Sequence, residues 1–421
     1  EALAKFIAAR FHVPGDARDY FFASARLGRG AETALPFPAE LIPLGARLVL
    51  RGWRNNKFFP TNRDWILPYW AERQFDLRDR AFLPRGFNLY TINYTHRDWT
   101  MIGNPARARE AIVDPRGLVT PWFDGWSLDV WCEIDGKLFA PSRLADAQIA
   151  QTLHENLPIV VTIFQANDLR VQLETFATEQ DTREFVVEQI TIANPSRNAQ
   201  RATLYFSIRP FNPEGVALVH DIVYATRNTQ HAFLVNHALG VLLPPPDAIA
   251  CSNFADGDVA LALPNLNGKT RVHCDAGLAT AVAAYRLELG AGESRTLTAR
   301  MPMEREELDD DEEPNSEFKI LNSKFDWRTQ TISRWRENLA RGMRVRLPDE
   351  KLQAAFDANK AYLLLLHNGD TITPGPFTYH QFWLRDAAYL LNALDKLGYH
   401  DEARQVIEKF PRRVQKDGYA Y

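Results

Sequence analysis

The stretch Val171-Gln172-Leu173-Glu174-Thr175-Phe176 has a clear strand pattern. Apolar and polar side chains alternate through its first four residues, which is the pattern of a strand with one buried face. Similar β-branched and aromatic runs recur between clusters of turn residues, at 159–165, 169–177, 184–193 and 201–209. Strands that follow one another at this spacing, without helices between them, predict a large antiparallel β-sandwich.

Two hairpin patterns flank this region. The run Ser127–Ile134 is followed by Asp135-Gly136, a dipeptide suited to the positive φ angles of a tight turn, and then by a short run at 137–140. The runs at 281–289 and 294–301 enclose a glycine-rich turn. Both patterns predict antiparallel strand pairs.

We therefore expect an N-terminal β-sandwich domain over residues 1–303, with a loop-rich part at 1–150 and a strand-dense part at 151–303. Within the loop-rich part, a short amphipathic helix is expected at 3–11 and a strand at 46–53, in addition to the hairpin at 127–140.

The composition changes at 304–317, where Asp309-Asp310-Asp311-Glu312-Glu313 forms an acidic run. We interpret this run as a solvated linker, with binding of a cation or a basic partner as the alternative. A helix should follow it and end at Gly342. Residues 304–347 are thus expected to be an acidic linker and a connecting helix, whose apolar face is formed by Phe325, Ile332, Trp335 and Leu339.

Helical periodicity continues over residues 348–421. Pro348-Asp349-Glu350 places proline and acidic side chains in the first turn of a helix. Two further helices are expected at 383–397, capped by Gly398, and at 400–415. The buried face of the first helix is predicted to comprise Leu352, Ala355, Phe356, Tyr362, Leu363 and Leu366.

The composition also narrows the class of function. The 421 residues carry 49 basic and 53 acidic side chains, for a net charge of −4, so neither a nucleic-acid surface nor a polybasic membrane anchor is expected. No apolar run approaches the ~20 residues needed to span a bilayer. Three cysteines without a CxxC pair argue against a disulfide framework or zinc site and favour a reducing, cytoplasmic compartment. Because the chain begins at Glu1 and not at methionine, export stays open.

Common cofactor motifs are missing from the sequence. It has no glycine-rich phosphate loop and no HExxH or GxSxG motif. We therefore expect neither a metal nor another cofactor.

The segment Tyr379-His380-Gln381-Phe382-Trp383-Leu384-Arg385-Asp386 contains the most specific motif of the chain. It resembles the Y-x-x-x-W-x-R-D signature of glucoamylase-type six-hairpin glycosidases. In bacterial members and in the related disaccharide phosphorylases, a β-supersandwich precedes the helical barrel. The β-region features that resemble such a domain are Asn194-Pro195-Ser196, Arg209-Pro210 and Gly292-Glu293-Ser294. The resemblance implies that 348–421 is the start of an (α/α)6 toroid that is incomplete at Tyr421.

The resemblance also implies roles for four residues. In that family, the aromatic pair and the Arg-Asp pair line the subsite of the sugar whose bond is broken, which makes Tyr379, Trp383, Arg385 and Asp386 substrate-binding residues. Sugar recognition does need planar donors, ionised acceptors and a ring for the apolar sugar face. A structural interpretation stays open, because the helix dipole favours Asp386 and Trp383 lies on the apolar stripe. Arg385 at a helix N-terminus should need a partner.

The predicted function is that of a carbohydrate-active protein, most specifically a glycoside hydrolase of glucoamylase type that acts on oligosaccharides or polysaccharides. Such an enzyme needs two carboxyl groups across the scissile bond. Those of the family come from later hairpins, so we expect the catalytic carboxylates beyond Tyr421 and expect this chain alone to be inactive. A disaccharide phosphorylase of the same architecture and a noncatalytic glycan-binding or scaffold protein are the alternatives.

An incomplete barrel would expose apolar helix faces. The helical segment should therefore pack on the β domain, associate with another copy, or be covered by a second chain.

Overall fold

The computed structural model describes residues 99–122, 125–144, 146–180, 183–213, 215–227, 229–275, 277–305, 326–377 and 380–413. The chain forms two compact units, Glu1–Asp76 and Leu77–Tyr421, and all of the described residues belong to the second. The elements predicted at 3–11 and 46–53 and the acidic run at 309–313 lie outside the described residues. The domain boundaries at 150, 303 and 347 remain predictions.

The described strands form two large antiparallel sheets and one small one. In chain order they are β1 (Thr100–Gly103), β2 (Glu110–Val113), β3 (Val119–Thr120), β4 (Ser127–Ile134), β5 (Lys137–Phe139), β6 (Ile149–Leu153), β7 (Ile159–Ala166), β8 (Leu169–Gln180), β9 (Arg183–Ala193), β10 (Gln200–Arg209), β11 (Phe211–Asn212), β12 (Gly215–Val216), β13 (Asp221–Arg227), β14 (Gln230–Val235), β15 (Ala238–Leu243), β16 (Ala248–Ser252), β17 (Arg271–His273), β18 (Thr280–Leu289) and β19 (Ser294–Pro302).

The first sheet has the order β1-β2-β3-β4-β10-β18-β16, with β5 paired to β4. The second has the order β17-β13-β14-β15-β19-β9-β8-β7-β6, and β11 pairs with β12 separately. Long-range crossovers such as β4 to β10 and β9 to β19 are typical of a sandwich and not of a simple meander. The predicted β-sandwich is therefore confirmed.

The predicted hairpins agree with the structure. β4 and β5 are joined by Asp135 and Gly136, whose φ angles are 51° and 75° as the turn requires. β18 and β19 are likewise separated by the turn at 290–293. In this turn, the Asn194 side chain donates to the carbonyls of Leu289 and Gly290, both at 3.0 Å. The two turns that resemble family features therefore contact each other.

The two large sheets pack against each other through apolar side chains. Gln151 of β6 crosses between them, because its Nε2 donates to the Asp114 carbonyl after β2 at 2.8 Å and to Thr162 Oγ1 of β7 at 2.9 Å. The side chains that are fully buried on the facing strands include Val130, Leu204 and Phe206 of the first sheet and Phe164, Leu173 and Ile190 of the second.

Four α-helices follow the sheets in the described chain: α1 (Trp327–Ala340), α2 (Glu350–Leu365), α3 (Leu384–Lys396) and α4 (His400–Ile407). Carboxylates cap the first two, since Asp326 accepts from the Thr329 amide at 3.1 Å and Asp349 from the Leu352 amide at 2.9 Å. Gly398 ends α3 with a φ of 87°, as expected. The shorter 3-10 helices are Pro141–Arg143, Asp146–Gln148, His154–Asn156, Val259–Ala262 and Phe410–Arg413.

Two helix predictions are corrected by the structure. The predicted buried face of α2 is wrong at its start, because Leu352 is 62% exposed. The helix is buried at its other end, where Leu365 packs against Gly103 of β1. There the Lys360 ammonium also donates to the carbonyl of Leu339, which belongs to α1. The helix predicted at 400–415 ends at Ile407, since Pro411 cannot continue an α-helix.

The helices and the sheets share one hydrophobic core. Polar contacts add to it, since Arg328 of α1 donates to Glu174 Oε1 of β8 at 2.8 Å and Thr331 Oγ1 donates to the Ala177 carbonyl at 3.3 Å. Of the three expected ways to cover the helical faces, packing on the β domain is therefore observed. The buried residues of this core include Met101, Leu157, Ile159, Phe176, Phe185 and Val187 from the β region and Trp335, Ala361, Leu365, Ala387, Leu391, Leu394 and Val406 from the helices.

No helix among the described residues is long and apolar enough to cross a membrane.

Candidate functional site

Three of the four residues assigned to substrate binding lie at the start of α3. Trp383 is the N-cap residue in an extended conformation, with φ −123° and ψ 117°, and its carbonyl accepts from the Ala387 amide at 2.8 Å. Arg385 and Asp386 occupy the first turn that follows. The structure therefore brings Trp383, Arg385 and Asp386 together, whereas Tyr379 lies outside the described residues.

The two charged residues of this group are both in contact with solvent. Arg385 is exposed and Asp386 is half-buried, and neither has an ion pair with another described residue. The partner expected for Arg385 is thus not found in the described part of the chain, and exposure allows water to solvate the guanidinium. Trp383 differs from both, because its Nε1–H is buried without a described hydrogen-bond partner.

The loop before α3 is held by its own backbone. The Thr373 amide donates to the Leu366 carbonyl at 3.1 Å, and the His380 amide donates to the Phe377 carbonyl at 3.1 Å. Phe377 is buried and has a φ of 56°. A bulky residue in this left-handed region is strained, and such strain persists where the surrounding structure fixes the backbone.

A second feature of the site was not predicted from the sequence. Glu110 of β2 reaches the loop before α3, where its Oε2 lies 2.9 Å from His380 Nδ1. This distance would allow a hydrogen bond, but the geometry at His380 Nδ1 does not meet the angular requirement of one. The contact is therefore a short ion pair. His380 lies within the sequence motif at 379–386, which predicts no role for it, and no spacing links it to Glu110.

The environment changes the pKa of both members of this pair. Burial raises the pKa of the Glu110 carboxyl above its ordinary 4.5, and His380 only partly opposes this. Burial on its own lowers the pKa of His380, but the contact and charge of Glu110 outweigh it, so that pKa lies above the ordinary 6.5. The pair therefore holds protons more tightly than the separate groups do.

A second buried carboxyl lies near Glu110. Glu184 of β9 accepts from Asn104 Nδ2 at 2.9 Å, and Arg109 Nη1 lies 3.5 Å from its other oxygen. Burial raises the pKa of Glu184 as well, and the charges of Glu110 and Glu184 repel each other. Because Glu184 has its own partners, His380 is the cation that neutralises Glu110.

The described residues include no group of three or more His, Cys, Asp or Glu side chains placed to hold a metal ion.

The comparisons with known proteins give a fold and not a family. No protein-family model matches the chain, and no curated protein matches it. Among solved structures, a bacterial glucoamylase complexed with acarbose matches with a TM-score of 0.57 and 10% identity, over 77% of this chain and 51% of that one. This chain thus spans about half the length of the glucoamylase chain.

Two weaker matches have TM-scores too low to support an argument. A GH92-family glycosyl hydrolase, ccman5, matches with a TM-score of 0.35 and 10% identity over 72% of this chain and 42% of that one. A candidate kojibiose phosphorylase from the human microbiome matches with a TM-score of 0.34 and 8% identity over 70% and 41% of the two chains. The glucoamylase match confirms the predicted architecture at the level of fold. The described region has a β-sandwich followed by helices, and its fold is similar to that of part of the glucoamylase chain.

Proposed function

We propose that this chain is part of a carbohydrate-active protein and that the N-terminus of α3 binds one sugar of an oligosaccharide or polysaccharide. The observation that carries the proposal is the grouping of Trp383, Arg385 and Asp386 at one helix start, on a fold like that of bacterial glucoamylase. Tyr379 joins this set by its position in the motif.

The residue types suit a sugar. The indole of Trp383 offers an apolar face for the C–H side of a pyranose ring. The Arg385 guanidinium donates in a fixed plane, and the Asp386 carboxylate accepts from hydroxyl groups. The free N–H groups of the first helical turn favour the carboxylate there. The three side chains therefore supply stacking, donation and acceptance within one turn.

The more specific proposal is a glycoside hydrolase of glucoamylase type. Its acid and base must face a sugar with room for a water molecule. Glu110 and Glu184 do not suit these roles, because each is only 6% exposed and is held by protein partners. We therefore assign neither of them a catalytic role. The chain as given should release no glucose from maltose above a blank without protein.

Binding of acarbose, measured by calorimetry, tests the sugar site directly. Asp386→Asn keeps the shape and removes the charge, so acarbose should bind at least about 10-fold more weakly, since a hydrogen bond to a charged group contributes about 1.5–3 kcal/mol. Asp395→Asn is the matched control, because Asp395 lies at the other end of α3, where it pairs with His400 at 2.6 Å. Equal affinity for the wild type and Asp386→Asn, or no binding to either, would contradict the proposal.

A further inference from the structure

The sandwich contributes a residue to the candidate site. Glu110 belongs to β2, and its side chain is almost fully buried where that strand meets the helical segment. Its contact with His380 at 2.9 Å joins β2 to the loop that leads into Trp383. Only two residues separate His380 from Trp383. A displacement of His380 would therefore reach the ring and the charged residues after it.

The same place is tightly packed by apolar contacts. Gly103 of β1 pairs with Glu110, and a Cβ added at Gly103 would lie 2.7 Å from Leu365 Cδ1 of α2 and 3.6 Å from Glu110 Cγ. Helix α2 therefore approaches the strand as closely as a glycine allows. Because the His380 amide donates to the carbonyl of the strained Phe377, His380 is also held through its own backbone.

The charges around the pair are few. Among the described residues, two charged groups shift the pKa of Glu110, namely His380 and Glu184 of β9. Glu110 is the charged group that shifts the pKa of His380. Arg109 directly precedes Glu110 but is paired with Glu184 and with Glu304, at 3.5 and 2.7 Å. The attraction that holds His380 in place thus comes from Glu110.

We propose that Glu110 is a positioning residue for the sugar site: through His380 it fixes the loop that places Trp383, Arg385 and Asp386. The inference rests on the proposed sugar site for its function, but the positioning itself is a property of the described contacts. One oxygen of Glu110, Oε1, is buried with no described hydrogen-bond partner. The loss of the His380 charge would therefore leave a buried carboxylate with no compensating cation.

The proposal has a consequence for pH. Because the pKa of His380 lies above its ordinary value, its imidazolium persists to a higher pH than that of a free histidine and is lost as the pH rises through the raised pKa. The contact then loses its attraction, and the loop loosens. Sugar binding should weaken by about 10-fold on this transition, toward the low end of the 5–150-fold range found for coupling between sites.

The first measurement uses the wild-type chain. The affinity for acarbose and the indole N–H resonance of Trp383, assigned with Trp383→Phe, are followed from about pH 6 to about pH 9, which covers the ordinary histidine pKa and values above it. We expect the affinity and the resonance to change with the same midpoint as the His380 ring signals.

The variants then separate positioning from general stability. Glu110→Gln removes the charge, so its affinity at pH 6 should already match the weakened wild-type value, and the pH step should disappear. Glu184→Gln is the matched control, since Glu184 is equally buried but bonds Asn104 and not His380. It should keep the pH step and the Trp383 resonance of the wild type.

Each outcome decides one of the two proposals. If acarbose binds the wild type and Glu110→Gln with equal affinity and the same pH dependence, the positioning role is overturned. The sugar site is not affected by that result. If acarbose does not bind at all, the sugar site fails, and the Trp383 resonance decides the positioning alone. A resonance that moves neither with pH nor in Glu110→Gln overturns it. Should Glu110→Gln not fold, the wild-type titration of that resonance gives the same decision.

Discussion

Two buried ion pairs of this molecule are built differently. Arg209 at the end of β10 and Asp258 have no exposed side-chain surface. Arg209 binds both carboxylate oxygens, one of them through Nη1 at 3.1 Å, and Nη1 also donates to Ser207 at 3.2 Å. Asp258 accepts in addition from the Ala260 amide at 2.8 Å. The guanidinium carbon lies 5.2 Å from the centre of the Trp131 ring.

The pair of Glu110 and His380 is less complete. The contact is single and poorly aligned, one Glu110 oxygen has no described partner, and His380 is 30% exposed. One of its members can also lose its charge near neutral pH, which Arg209 cannot. The first pair therefore keeps both charges and holds the sandwich at any ordinary pH. The second pair holds its loop only while His380 is protonated.

The largest effect should come from breaking the sandwich pair. Asp258→Asn keeps the acceptor for the Ala260 amide but leaves the Arg209 guanidinium buried without a counter-charge. Removal of one partner of a buried pair destabilises a protein by about 3–5 kcal/mol. We expect a loss of this size in the free energy of unfolding, measured with urea at pH 7.

The exposed pair of the same sheet provides the control. Arg201 and Glu288 lie 2.9 Å apart with side chains that are 85% and 77% exposed, so Glu288→Gln should not change the urea midpoint measurably. Similar losses in both variants would show that burial does not distinguish the pairs.

An intermediate effect is expected where α2 approaches the strand beside Glu110. Gly103→Ala introduces a Cβ at 2.7 Å from Leu365 Cδ1 and 3.1 Å from the Arg109 carbonyl. Leu365 is fully buried, so the added methyl group should lower the stability by about 1–3 kcal/mol through overpacking. The matched control is Gly290→Ala, whose Cβ would contact only Glu293 Oε2 at 3.4 Å. A thermal midpoint that falls no further in Gly103→Ala than in Gly290→Ala would mean that the helix can shift.

The strand that carries Arg209 is predicted better from the sequence than the strand that carries Glu110. The run predicted at 201–209 is β10 (Gln200–Arg209), which ends at Arg209, so its bounds agree with prediction within one residue. β2 is a strand of four residues, all buried, and short runs without alternation carry no periodic signal.

The candidate site was likewise only partly predictable. Trp383, Arg385 and Asp386 are neighbours in the chain, so a local motif places them together. Glu110 and His380 meet only because α2 and α3 pack on the sheets, and local patterns do not contain that docking. The same packing leaves the charged Lys360 buried and the apolar Leu352 exposed, which is the opposite of what their hydrophobicity predicts.

The smallest effect on stability should be the most informative about the second pair. Both its pKa values are raised in the folded chain, so the folded state holds protons more tightly than the unfolded state. The stability that the pair contributes is therefore present at low pH and is lost as the pH rises through the folded pKa of His380, above 6.5. In Glu110→Gln, burial alone acts on His380, whose pKa should fall. The stability advantage of the wild type should thus shrink from about pH 6 to about pH 9 and can reverse there, because a buried Glu110 carboxylate without a cation is unfavourable. Urea unfolding at both pH values measures this, with Glu184→Gln as the reference, whose partners Asn104 and Arg109 keep their charge states across that range. A difference between the wild type and Glu110→Gln that stays constant with pH would show that His380 does not titrate against Glu110.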